Sequence, residues 1–160
     1  MTFGTSSKIM RSFLLDALAN TSAWALGAAD VPKAALFGNT PTPNQDDTIA
    51  HNAYNGAGGQ WLSTSEVTDV TNWVAGGRPL VSGALQVATA ATAWYDAADT
   101  AGGGNVTVSA YGVMVYDDTI TTPVADPGMT YHAFGTQPSA VTAGTFTVVW
   151  DVNGIFRLAL

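Results

Sequence analysis

Near the end of the chain apolar and polar side chains alternate. Phe146, Val148, Trp150 and Val152 are interleaved with Thr145, Thr147, Val149 and Asp151, and a period of two places one set on a buried sheet face. Asn153-Gly154 breaks the run, and a second apolar run, 155–160, follows. Asn-Gly accepts positive φ at both central positions of a type I′ turn, so the pattern predicts a closing β-hairpin, with Ile155, Phe156, Leu158 and Leu160 in the core. Upstream, 106–116 reads as one long strand, near-continuously apolar at its end as in a strand buried on both faces. Shorter strands are expected at 30–38, 80–88, 92–96 and 131–135. Residues 101–105 read as a turn, 117–127 as a loop and 137–144 as a connection.

Two segments carry a helical signature. In 12–24, Phe13, Leu14, Ala17 and Leu18 recur at spacings of three and four. Residues 46–54 begin with Asp46 and Asp47, negative charges suited to the positive end of a short helix. Residues 61–79 form a long Gly-containing loop whose aromatics, with Tyr54 ahead of them, suggest that it folds back over the sheet. The sum is a mainly β chain: an antiparallel β-sandwich, jelly-roll-like, with one or two short helices near the N-terminus. Residues 1–11 are expected as an N-terminal arm, unordered before assembly for want of apolar side chains, and 12–160 as a single domain.

Composition narrows the function. Apolar residues make up 47% of the 160 and charged ones only 11%, against ~25% charged in soluble proteins generally. Small uncharged side chains must therefore face solvent, or part of the surface must face other protein, where such a face is cheap to desolvate. The net charge is −7, and Lys8, Arg11, Lys33, Arg78 and Arg157 are scattered. That excludes the basic stripe that nucleic-acid binding requires. No apolar run reaches the ~18 residues of a membrane span, and Asp16 cuts the run after Lys8 and Arg11 too short for a secretory signal. With no cysteine there are no disulfides or thiolate metal sites.

Chemistry-bearing residues are sparse. His51 stands four residues after Asp47, a spacing that brings both to one helix face as a metal or general-base pair requires, although an acidic turn followed by a surface histidine explains it as well. His132, beside Tyr131, has neither a nucleophile nor a second histidine at ligand spacing. Asp117, Asp118 and Asp126 could gather oxygens for Ca²⁺, but lack the spacing and terminal glutamate of an EF-hand loop. Glu66 and Asp69 read as solvated charges. The glycines at 56–59 and 102–104 are followed by no Lys-Ser/Thr and open no helix, so they are not phosphate loops. The chain is read as a non-enzyme without cofactor or metal. Trp94 and Trp150 fall in strand patterns and read as core, whereas Trp24, Trp61 and Trp73 lie at element ends or in loops, positions that suit either an interface or a packed-down loop.

Residues 110–118 (AYGVMVYDD), 132–136 (HAFGT) and 141–158 (VTAGTFTVVWDVNGIFRL) together resemble a family of small virion proteins of tailed bacteriophages. The first half is similar too: a helix, a strand like 33–37 (KAALF), a proline turn, a short acidic helix, and a segment running from Glu66 and Val67 through Trp73 to Gly76, Gly77 and Leu80. The chain departs from the family at Ala133, where an Asp often precedes Phe-Gly, and in its 102–104 and Trp-containing loops. The resemblance implies a minor capsid or head decoration (cement) protein on the exterior of the virion. Its partners would be the major capsid protein and itself, as a homo-oligomer with a trimer favoured. Contacts are expected from the arm with Arg11 and from loops carrying Trp61, Trp73, Asp117 and Asp118. A tail or head-to-tail connector component is the alternative, as is a carbohydrate-binding adhesion module, which would display coplanar Trp rings on one open face.

Overall fold

The period changes within 106–116, and there the architecture divides. Val106, Val108 and Ala110 are buried and alternate with exposed Thr107 and Ser109, whereas 112–116 are buried throughout. A strand with one wet face and a strand with none belong to different surroundings. The expected single strand is accordingly two, separated at Tyr111, and they pair in different sheets.

The computed structural model describes residues 3–27, 29–88 and 92–159. Along the chain run Lys8–Ile9 (β1), Arg11–Ala19 (α1), Lys33–Phe37 (β2), Arg78–Pro79 (β3), Ala84–Ala88 (β4), Thr92–Asp96 (β5), Thr100–Ala101 (β6), Val106–Ala110 (β7), Gly112–Tyr116 (β8), Gly128–Ala133 (β9), Ser139–Gly144 (β10), Thr147–Val148 (β11) and Phe156–Ala159 (β12). A five-stranded sheet has the order β1-β9-β8-β2-β3, a three-stranded sheet the order β12-β5-β4, and β10-β7 and β11-β6 form two-stranded ribbons. Every pairing between these strands is antiparallel. The chain is thus mainly β, a sandwich of antiparallel sheets with one short helix near the N-terminus.

Register shows how the central sheet is covered. Ala35, Met114 and Tyr131 face each other across strands, as do Phe37, Gly112 and Ala133, so these side chains share one face. The 39–77 segment lies over it. Trp61 meets Phe37 edge-on at 5.1 Å, Phe3 at 5.9 Å and Tyr131 at 5.7 Å, and Tyr54 stacks on Tyr116 at 4.6 Å. Polar bonds tie the same layer down: Tyr54 Oη donates to Glu66 Oε2 (2.7 Å), which also accepts from the Gly76 amide, and Tyr116 Oη donates to the Gly76 carbonyl. The opposite face presents Val113 and His132, and Trp150 meets the His132 ring at 5.5 Å. Gly112 is required because a Cβ there would come within 2.2 Å of the Phe3 ring.

Several expectations are corrected. The closing hairpin does not form: β11 pairs with β6 and β12 with β5. Gly154 does adopt positive φ (+92°) and donates to Asp151 O, so Asn153-Gly154 is a turn that passes the chain from one sheet to another. Phe146, Val148 and Trp150 are buried as expected, but Val152 is 90% exposed. Ile155 and Phe156 are core, Leu158 is 39% exposed, and Leu160 lies outside the described residues. Residues 139–144, expected as a connection, are β10, paired with β7.

The helix stops at Ala19, where Asn20 takes up a left-handed conformation. Residues 46–54 form turns rather than a helix, because side chains offer the backbone other partners: Asp47 Oδ1 accepts from the Thr48 amide and Thr48 Oγ1 from the His51 amide. Of residues 1–11, expected as an arm, 1 and 2 lie outside the described residues and 3–11 pack on the body: β1 pairs with β9, and Phe3 and Met10 are buried.

Candidate functional site

The histidines lie apart in structural roles. His51 Nδ1 is 2.9 Å from Asp47 Oδ1, so the four-residue spacing does bring the pair together, at the surface and without a helix. His132 Nε2 is 2.9 Å from the Thr130 hydroxyl, and burial pushes its pKa down to about 4. Among the described residues no group of three or more His, Asp or Glu side chains is placed to hold a metal ion. Asp69 accepts from the amides of Asn72, Thr107 and Thr71, and these bonds lower its pKa. It and Glu66 are therefore fixed loop anchors rather than free solvated charges.

Asp117 is the most perturbed carboxyl. It is fully buried, its Oδ1 accepts from the Thr119 amide (2.9 Å) and hydroxyl (2.5 Å), and its Oδ2 has no hydrogen-bond partner among the described residues. The same Thr119 hydroxyl stands 3.2 Å from Asp30 Oδ1. One hydroxyl proton serves two carboxylate contacts, so a proton retained on Asp117 completes the arrangement. Burial pushes the Asp117 pKa up to about 6, with the Asp30 carboxyl adding to the rise and the Thr119 bonds opposing it. Nearby, Asp118 pairs with Lys33, and burial followed by the Asp117 and Asp30 charges pushes Tyr95 up to about 12.

The expected contact residues fall on both sides of the surface. Trp61, Trp73 and Asp117 are 0% exposed and offer nothing to a partner. The two tryptophans are core because their loop folds onto the body, and Asp117 because it ends β8 beneath Thr119. Asp118 is half-buried against Lys33. Arg11 is exposed, reaching Asp46 at 3.7 Å across a shallow cleft also lined by Ser12, Asp47 and Thr48.

What the surface does offer is apolar. Between α1 and the β12-β5-β4 sheet runs a groove of about 430 Å³, lined by Phe13, Leu14, Leu18, Trp24, Leu85, Trp94 and Leu158 among others, with no charged side chain in its wall. It is seated on the core through Phe13, which meets Phe156 at 5.4 Å and Trp24 at 4.8 Å. Asp16 is consumed beneath it, accepting from Trp24 Nε1 at 2.6 Å. Around the groove Leu18 is 85% exposed, Val87 79% and Leu85 52%. Leu85 and Val87 alternate on one face of β4, and across the register they continue into Tyr95, Ala93, Phe156 and Leu158.

The sequence reading placed Leu18 on the buried side of its helix and Trp94 in the core. A signal was present: Phe13, Leu14, Leu15, Ala17 and Leu18 cover more of the helix circumference than one contact can bury. Compared with protein-family models, curated proteins and solved structures, the chain matches none. No helix among the described residues is long and apolar enough to cross a membrane.

Proposed function

We propose that this chain is a structural virion protein of a tailed bacteriophage, a decoration protein that attaches to the outer surface of the shell and stabilises it through many weak, repeated contacts. The observation that carries the reading is the uncharged apolar face around the groove, on a molecule whose histidines and carboxylates are engaged in holding its own loops. Contiguous exposed apolar surface rimmed by polar residues marks protein, membrane or ligand contact. The resemblance of 110–118, 132–136 and 141–158 to phage virion proteins supplies the setting. Simultaneous engagement of several shell subunits raises occupancy through effective concentration without any strong single contact. The adhesion alternative is less well served: sugar hydroxyls need hydrogen-bond partners, and the groove holding Trp24 is walled mainly by hydrocarbon.

The test is a cryo-EM map of the particle that carries the chain, together with addition of the purified protein to shells lacking it. Density on the outer face and a higher shell disruption temperature on addition are expected. Density confined to the portal or tail would replace shell stabilisation with a connector role, and absence from the particle would overturn the reading.

A further inference from the structure

We infer that the groove between α1 and the β12-β5-β4 sheet is where a second copy of this chain docks, the projecting Leu18 of each copy seating against the apolar wall of its neighbour. Three observations select this occupant. The first is the sheet edge. Among the described residues β4 pairs with no strand but β5; Gly27 lies against Ala84 and Leu85, while Gln86 and Val87 beyond them are exposed. Ala84–Ala88 carries no charge, proline or bulge of the kind that blunts an edge against pairing. Tyr95 O accepts from Ile155 on the β12 side, so in an antiparallel ladder the backbone groups of Val87, of the same parity as Leu85 opposite Tyr95, point away from β5 to that edge, past the point where Gly27 meets Leu85. A lipid tail or small apolar ligand leaves such groups unserved, whereas a polypeptide can pair with them.

The second observation is charge. A chain of net charge −7 repels its own copies, and least where no charge faces the contact. This face has none: Asp16 is buried and bonded to Trp24, and Arg157, paired in register with Trp94 and Gln86, points to the other side of the sheet. A basic partner would find nothing here to pair with. The third is shape. Leu18 protrudes at the end of α1 and borders the groove it would fill in the neighbour, so knob and hole occur on one face of one molecule. That is the condition for a self-complementary contact, closed by a two-fold axis or, passed head to tail, by a ring. In the decoration reading this face then joins the copies, and the joined copies meet the shell together.

Sedimentation of the full chain from ~1 to ~100 µM, with no shell present, tests it. The unaltered chain is expected to associate. Leu18→Glu and Val87→Glu, both at exposed positions that leave the core intact, should each weaken association by at least ~tenfold by placing an unpaired charge in an apolar contact. Val70→Glu, at a position 94% exposed on the 61–79 loop, should not. A monomer at the highest concentration, or Leu18→Glu and Val87→Glu chains that associate like the parent, would overturn the inference. So would a monomeric parent whose binding to shells is lost in Leu18→Glu, which would assign the face to the shell instead.

Discussion

Replacing Asp117 by Asn removes one titration from the fold and leaves the volume unchanged. In the folded chain this carboxyl is fully buried, one oxygen has no hydrogen-bond partner among the described residues, and Asp30 shares its hydroxyl donor, so it holds its proton up to about 6 against an ordinary 3.8. Because the folded state binds this proton more tightly than the unfolded state, its contribution is fully present below pH ~4 and is lost as pH rises through about 6. About two pH units at ~1.4 kcal/mol each set the loss at ~3 kcal/mol. An amide at the same position carries no charge at any pH and can donate toward Asp30. The difference in stability between Asp117→Asn and the parent should therefore move in favour of the variant by up to ~3 kcal/mol between pH 4 and pH 7. For a chain of this size that corresponds to ~6–12 °C in melting temperature. Thermal unfolding of both proteins at pH 4, 5, 6 and 7 reads it, since titrating groups that do not feel the Asp117 charge cancel in the comparison. A melting difference that stays constant across this range would refute the retained-proton arrangement.

The remaining predictions concern packing and the other buried titration. His132 has the opposite sign: its pKa is depressed to about 4 from 6.5, so its contribution is present above pH ~6.5 and lost as pH falls toward 4. His132→Gln should accordingly flatten the acid side of the stability curve measured by urea unfolding. Trp61→Ala empties a fully buried site against Phe3, Phe37 and Tyr131 and should cost ~3–5 kcal/mol; a urea midpoint within ~1 kcal/mol of the parent would contradict its place in the core. Gly77 and Gly76 both have positive φ, but a Cβ on Gly77 would stand 2.3 Å from the Ala34 carbonyl while one on Gly76 meets only the Tyr116 hydroxyl at 3.6 Å. Gly76→Ala should cost ~1–2 kcal/mol for its backbone alone, and Gly77→Ala clearly more, in the same urea measurement.

Periodicity carried as far as the face a strand buries and stopped at which strand it joins. The alternation in Val106, Val108 and Ala110, and in Phe146, Val148 and Trp150, was legible because burial on one face is a local property of the side chains. The hairpin after Trp150 failed for the complementary reason. Asn153-Gly154 encodes a turn, but the neighbours of β11 and β12 are chosen by packing around Phe156 and Trp150, which no local signal states. The break at Tyr111 was present as a switch from alternating to continuous burial, a change of period inside what reads as one run. Trp61 shows the limit at the candidate site. An aromatic in a Gly-rich loop is equally compatible with a partner's surface and with the chain's own sheet, and only the ring contacts with Phe37 and Tyr131 separate the two. The groove was hidden because it lies between α1 and strands more than sixty residues away, and its wall assembles only in three dimensions.

The placement of the tryptophans also divides them optically. Trp61 and Trp73 are sealed in the core, and Trp150 is nearly so, whereas Trp24 is partly open in the groove wall and Trp94 on the Arg157 side of the same sheet. Emission from the interior is shielded from water-borne quenchers such as iodide, while the Trp24 and Trp94 indoles remain within reach of them. Whatever covers the groove must then blue-shift and protect Trp24 while leaving Trp94 within reach, so the chain carries both a chromophore in the groove and an internal reference outside it.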